Sequence, residues 1–289
     1  MKNILENIVI RPMQEADIEE AMKIKEAEGW NQTEKDWRLM LAHDPGLCFV
    51  ADINDRVVGT VTALNFSNQV AWIGMMLVSK DFRGLGIGKL LLQKVINQLK
   101  ECKSIKLDAT LAGMIVYTKL GFVKEFEIYR MTTMNLPKLV DQKQQIAIVP
   151  VSRKDIADIV KMESALFGAD RSKLIEMLLQ AHPNMAWLLK REGRLSGFAL
   201  GRPGSHYTQI GPVMAETAND ATALISGVLK YFTGQPVVVD VPEDKQRLKD
   251  WLLSLGFVVR RPLTRMYLKS NSFPGLIEKQ FLIGGPEIG

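Results

Sequence analysis

Apolar and polar positions recur along this chain with two different periods. "IVIRP" at 8–12 reads as a short strand, and "EADIEEAMKIKEAEG" at 15–29 then sets Ile18, Ala21, Met22 and Lys25 at helical spacing, with Gly29 past the end. "CFVADINDRVVGTVTAL" at 48–64 alternates around Asn54-Asp55, which predicts a hairpin. "VAWIGMMLVS" at 70–79 is almost unbroken apolar sequence, as a central strand buried on both faces requires. After a glycine-rich stretch an amphipathic helix begins near Lys89. "SIKLDAT" at 104–110 then predicts a strand, "AGMIVYTKLG" at 112–121 a short helix stopped by Gly121, and "FVKEFEIYRMTT" at 122–133 a closing strand. The expected fold class is mixed α/β.

The same order of signals returns further on. Asp17-Ile18 reappears as Asp155-Ile156 and "RVVG" at 56–59 as "RLSG" at 194–197, both offset by 138 residues. Ile73-Gly74 returns as Ile210-Gly211, offset by 137, and "LGFVKEFEIYRM" from Leu120 as "LGFVVRRPLTRM" from Leu255, offset by 135. Short matches in constant order at nearly constant offset identify a tandem duplication. The expected units are 1–137 and 146–270, joined by the polar "PKLVDQKQQIA" at 137–147. The Pro/Gly-marked tail 271–289 falls outside the repeat.

Composition narrows the function classes. In 289 residues with 47% hydrophobic content there is ample material for a buried core. No stretch reaches the roughly eighteen apolar residues of a membrane span, and the N-terminus carries charges where a signal peptide needs its apolar run, so a cytoplasmic location and no membrane partner are expected. The two cysteines, Cys48 and Cys102, read as reduced thiols, and the three histidines stand apart without a second ligand at metal spacing, so no metal is expected. A net charge of +5 without a dense Lys/Arg block favours a small acidic ligand over a nucleic-acid duplex.

That ligand has an obvious seat. Gly84, Gly86 and Gly88 stand between the buried strand and the helix, where the first helical N–H groups lack partners and carry the positive end of the dipole. Missing Cβ atoms let those amides converge on a phosphate, with Arg83 and Lys89 adding charge at the rim. The spacing fails as a P-loop, because Leu90 replaces the Ser/Thr that would hold magnesium, and it fails as a dinucleotide fingerprint.

The segment resembles the pyrophosphate loop of the GNAT superfamily, the general-control-type N-acetyltransferases, whose signature is (Arg/Gln)-x-x-Gly-x-(Gly/Ala). Arg83 to Gly88 match it in full, and "YTKLGF", Tyr117 to Phe122, matches a second element of the family. More narrowly, "GWNQTEKDW" and "IGPVMAET" are similar to a two-domain bacterial group with a degenerate second GNAT-like domain. The resemblance implies a tandem duplication of the acyl-CoA N-acyltransferase fold and acetyl-CoA as the ligand. The pyrophosphate would lie on the amides of Gly84, Leu85, Gly86, Ile87, Gly88 and Lys89, with Arg83 beside it. The pantetheine would follow Met75 to Val78, and an N–H among Met76, Leu77 and Val78 would face the developing oxyanion. Tyr117 stands where many family members protonate the departing thiolate, and an aromatic on a short amphipathic helix can equally be packing. The buried strand holds no Glu or Asp to serve as base. Asp108 could act through a water, and its repeat counterpart Asp240 points instead to a structural role. Trp30 and Asn31, with Trp37, lie where family acceptors bind.

The second unit departs from this pattern. After "IGPVM" comes "AETANDATALISGV", with Glu216 and Asp220 in place of the glycine loop, and "WLLSLGF" has no counterpart of the Tyr117 hydroxyl. Like charge at that spot repels a phosphate. The resemblance therefore implies an acetyltransferase whose active site lies in the first unit, acting on a small-molecule or peptide amine. A non-catalytic CoA-binding sensor or interaction protein is the alternative.

Overall fold

The computed structural model describes residues 7–139 and 148–289, so most of the polar join lies outside the described residues. The first repeat supplies β1 (Ile8–Pro12), α1 (Ile18–Ala27), α2 (Glu34–His43), β2 (Phe49–Ile53), β3 (Arg56–Phe66) and β4 (Val70–Val78). It continues with α3 (Ile87–Gln98), β5 (Ser104–Ala109), α4 (Leu111–Lys119) and β6 (Val123–Thr133). The second repeat follows the same order with β7 (Ile148–Pro150), α5 (Ile156–Phe167), α6 (Ser172–Ala181), β8 (Ala186–Arg191), β9 (Arg194–Arg202) and β10 (Thr208–Ala215). Then come α7 (Ala218–Leu229), β11 (Val237–Pro242), α8 (Gln246–Ser254) and β12 (Val258–Lys269), and the tail adds β13 (Gln280–Leu282).

Two helices were not expected. α2 and α6 each follow the first helix of their repeat. A capping box starts α2: Thr33 Oγ1 bonds Asp36 at 2.8 Å and the Asp36 carboxylate accepts from the Thr33 amide at 2.7 Å. The signal is the "TEKD" that precedes Trp37. The hairpin turn at Asn54-Asp55 is as expected, with both residues left-handed at φ 51° and 62°.

All the strands join one sheet in the order β1-β2-β3-β4-β5-β12-β6-β11-β10-β9-β8-β7, with β13 added to β10. The repeats are therefore not two separate sheets. Each closing strand has crossed over: β12 of the second repeat lies against β5 of the first, and β6 of the first lies against β11 of the second. The matching "LGFV…RM" sequences explain how each strand fits the other's slot. Arg265 stands directly opposite Asp108 and Arg130 directly opposite Asp240. Both pairs are bidentate, at 2.9 and 3.1 Å and at 2.8 and 2.7 Å, so one equivalent ion pair ties each exchanged strand to its host.

The core also spans the repeats. Trp37, Phe66 and Trp72 of the first pack in one cluster with Phe167, Leu174 and Phe198 of the second. Phe167 meets Phe66 edge-on, with ring centres 5.9 Å apart.

Candidate active site

The glycine segment closes β4 through a turn of 3₁₀ helix, Lys80–Phe82, and opens α3. Gly84 and Gly86 hold φ at +78° and +82°, a conformation that costs a residue with a Cβ, and Gly86 is the N-cap of α3 without a side chain to cap it. Gly88 is there for another reason. A Cβ on it would press on the Met76 methyl at 3.2 Å, so its absence seats the helix on β4. Among the described residues no intramolecular acceptor meets the amides of residues 84–89. Arg83 is braced beside them, its Nη2 2.6 Å from Glu28 Oε1 and its Nε donating to the Val78 carbonyl at 3.1 Å, while Lys89 is exposed.

Behind the loop the sheet forks. β4 and β5 run parallel and pair only from Val70 to Trp72. Past that point they part, and β4 also breaks its ladder with β3: Met75 and Met76 together oppose Val61, with Met75 at φ 47°. Thr60 Oγ1 donates to the Met75 carbonyl at 2.7 Å and holds the bulge. The fork borders a cavity of about 50 Å³ lined by Trp30, Gln32, Met75, Met76, Asp108, Tyr117, Arg261 and Glu287. A groove lined by Met76, Leu77, Val78, Arg83, Gly88 and Thr110 adjoins it. Trp30, Met76, Thr110, Tyr117 and Arg261 line both, so the glycine loop communicates with the fork.

Tyr117 projects from α4 to that junction. Thr110 caps the helix by accepting from the Gly113 amide at 3.2 Å, and a Cβ on Gly113 would lie 2.8 Å from the Tyr117 ring, so the glycine makes room for it. The ring packs on Phe122 with centroids 5.9 Å apart, its hydroxyl has no partner among the described residues, and burial pushes the phenol up to about 12. Asp108 also borders the cavity, but both its oxygens accept from Arg265; burial raises its carboxyl above the ordinary range while the guanidinium pulls it back.

Of the residues expected at the acceptor end, Trp30 lines the cavity and Asn31 does not. Asn31 Oδ1 accepts from the His206 and Tyr207 amides at 3.0 and 2.9 Å and its Nδ2 donates to the Tyr207 carbonyl, which ties the first repeat to the loop before β10. Trp37 is wholly buried in the shared core. The neighbouring Gln32 faces the cavity instead, with Nε2 donating to Glu287 Oε2 at 2.7 Å.

Glu287 belongs to the tail and had no signal in the repeat comparison. From Gln280 onward the tail is nearly all buried and crosses both repeats. It passes Gly211, where a Cβ would meet the Ile283 carbonyl, and Gly74, where a Cβ would lie 2.6 Å from the Glu287 carbonyl. At both repeated Ile-Gly pairs, therefore, the tail backbone lies too close to the sheet for a side chain. Trp72 Nε1 donates to the Pro286 carbonyl at 3.0 Å, and Arg202 bonds both Asp36 and Glu287. Burial raises the Glu287 carboxyl and the Arg202 guanidinium opposes that.

The second fork has the same plan and different contents. β10 and β11 pair only from Thr208 to Ile210, and β13 then lies against Val213 and Met214, while the Ile283 amide donates to the Asp240 carbonyl at 3.0 Å. Chain fills the gap that is open in the first repeat. The start of α7 is sealed as well. Thr217 caps the Asp220 amide, the Asp220 carboxylate is held by Arg191, Ser196 and Thr217, and Glu216 pairs with Lys279.

Among the described residues no group of His, Cys, Asp and Glu could hold a metal, and no helix is long and apolar enough to cross a membrane. Residues 11–122 match the model of the acetyltransferase (GNAT) family and residues 159–282 that of an acetyltransferase (GNAT) domain. Over 185 residues the chain is 26% identical to an uncharacterized N-acetyltransferase, YitH, of Bacillus subtilis, which is 64% of this chain and 65% of that relative's length. A putative acetyltransferase from Pyrococcus horikoshii superposes with a TM-score of 0.82 over 98% of this chain and 96% of its own, at 22% identity. A tandem GNAT protein from the clavulanic acid biosynthesis pathway gives 0.62 over 91% and 98%, at 13% identity. With a GNAT match in each half and the same forked sheet built twice, the chain belongs to the GNAT superfamily as a tandem of two GNAT domains.

Proposed function

We propose that the first repeat transfers the acetyl group of acetyl-CoA to a primary amine by direct attack, and that the second repeat binds no cofactor. The observation that carries this reading is the open fork of β4 and β5, joined by a groove to a helix start whose amides are unsatisfied. Residues 84–89 offer the pyrophosphate their amides, and the bulged stretch Met75 to Val78 offers N–H groups to the pantetheine and to the carbonyl oxygen as charge develops on it. Acetyl-CoA supplies the thioester. The neutral amine would form the new bond to the carbonyl carbon and lose a proton to water as the carbon–sulfur bond breaks, and the Tyr117 hydroxyl would give its proton to the departing thiolate and recover one from solvent. Asp108, with both oxygens on Arg265, serves as a positioning residue that holds β12 against β5, and Trp30 forms the wall beside the acceptor.

Thiol release from acetyl-CoA across an amine panel tests the proposal, with Tyr117→Phe as the diagnostic variant. The ring and its packing survive, so CoA affinity and thermal stability hold while turnover drops about ten- to a thousandfold, the range for a positioned general acid. Because burial holds the phenol at about 12, the wild-type rate persists through pH 10 and above instead of falling as an ordinary phenol ionises. An unchanged rate in Tyr117→Phe removes the tyrosine from the mechanism. CoA binding without thiol release on any amine would favour the sensor reading.

A further inference from the structure

Among the described residues every buried arginine is answered by a carboxylate. Arg130 faces Asp240, Arg171 faces Glu163, Arg202 faces Asp36 and Glu287, and Arg265 faces Asp108. Arg261 is half-buried, and among the described residues it has neither an ion pair nor a hydrogen bond. It lies on the exchanged strand β12 at a bulge, where the ladder with β6 steps from Val259 opposite Met131 to Arg261 opposite Arg130 and leaves Arg260 as the extra residue. Arg260 bonds Thr132 Oγ1 at 3.0 Å outside the cavity, and Arg261 lines both the fork and the groove. A bulge beside an active site commonly re-aims a side chain in this way. Of the carboxylates near Arg261, Asp240 is held by Arg130, and Glu28 lies 2.6 Å from Arg83 Nη2 with its buried Oε1 outside hydrogen-bond geometry.

A guanidinium left unpaired in a partly dry cavity is costly unless a ligand completes it. None of residues 84–89, the proposed pyrophosphate seat, lines the cavity that Arg261 shares with Gln32, so the anion that answers Arg261 there comes with the acceptor. A second group in the cavity is also incomplete. Gln32 is buried and its Oε1 has no partner, while its Nε2 is committed to Glu287. The cavity thus presents one unused cation and one unused acceptor, which an amine and an anion on one small molecule would complete together. With the Glu287 and Asp108 carboxylates bordering the same space, a singly charged planar anion suits it better than a phosphate dianion.

Resting on the acetyltransferase reading of this site, we propose that Arg261 anchors a carboxylate on the acceptor, and that the protein acetylates an amino acid or a similar small amino-carboxylate. The second repeat would then contribute the specificity-determining residue to the active site of the first.

Matched acceptors test this: amino acids, their carboxamides and their phosphonate analogues, with wild type, Arg261→Gln and Arg261→Lys. Wild type is expected to favour the carboxylates over the amides by about a hundredfold or more in kcat/KM, as charged sites discriminate when left unpaired. In Arg261→Gln that preference collapses through KM while CoA affinity holds, and Arg261→Lys recovers part of it. Equal use of acid and amide by wild type overturns the proposal. So does a preference for the phosphonate, or a loss of CoA affinity in Arg261→Gln, which would assign the cation to the cofactor. If nothing is acetylated, calorimetry of the same acceptors on the CoA complex still reads the anchor. Binding that needs Arg261 would keep the anchor and sink only the catalytic reading, and no such binding would sink both.

Discussion

The two forks in the sheet began as one sequence and now hold different things. In the first repeat β4 and β5 part to leave a cavity, and in the second β10 and β11 part around β13. Both forks have a glycine at the crossing, Gly74 and Gly211, and both crossings are made by the same tail. The tail is therefore an internal ligand for one fork and a wall for the other. Duplication left the second repeat with a structural need to fill an opening that the first leaves as a cavity, and one segment of chain meets both conditions. Its cost falls on independence: with exchanged strands, a shared core and a shared tail, neither repeat is complete alone.

The largest expected effects come from breaking what the two halves share. Asp108→Ala and Asp240→Ala each leave a buried arginine without its counterion, and each should cost about 3–5 kcal/mol in denaturant unfolding. The comparison sharpens in the activity measured on folded protein. Asp108 borders the open cavity and its loss should also impair turnover, whereas Asp240 sits behind β13 and should affect stability alone. Small stability losses at both positions would show that the crossed ion pairs do not fasten the exchanged strands. An apolar replacement of both members, Arg130→Met with Asp240→Leu, should return most of the loss, since the penalty lies in the unpaired charge.

Local signals carried most of the fold. Alternation, the Asn54-Asp55 turn and the unbroken apolar run gave the strands their places, and the glycine segment gave the loop, because each depends on residues close in sequence. The exchange of β6 and β12 had no local signal. It was hinted at by the equivalence of Asp108 and Asp240, which the sequence leaves open between catalysis and structure and each of which faces an arginine across the exchanged pair. Gln32, Arg261 and Glu287 come to the cavity from the first repeat, the exchanged strand and the tail. No spacing rule connects positions that distant, so pattern could reach Trp30 and Tyr117 and not these three. Asn31 fell one position from Gln32 on the same loop, and side-chain direction alone separates them.

A second way to break the comparison is at the loop itself. Gly86→Asp places a side chain and a negative charge at the proposed pyrophosphate seat, on a backbone at φ +82°. CoA affinity should fall about a hundredfold or more through lost amide contacts and repulsion, with the thermal transition preserved apart from a modest loss for the left-handed conformation. Wild type should bind one CoA per chain, and the variant should retain no secondary site. A measured ratio near two, or unchanged affinity in the variant, would mean that the open and filled forks are not the difference they are taken to be.

The smallest effect concerns the sealed helix in the second half. Thr217 caps α7 by accepting from the Asp220 amide at 3.1 Å, the position that Gly86 leaves without a side chain in α3. Thr217→Ala should cost about 1 kcal/mol of stability, the usual worth of an N-cap. It should not create a second CoA site. Unsealing the amides restores only half of what the first repeat has, because Asp220 stays anchored by Arg191 and Ser196 and keeps a carboxylate at the helix start. β13 also still fills the fork where a pantetheine would have to lie. Calorimetry on the variant reads the two contributions apart. A stoichiometry that stays at one shows that filling and charge suffice to exclude the ligand, and a rise above one would show that the cap alone had kept the second repeat closed.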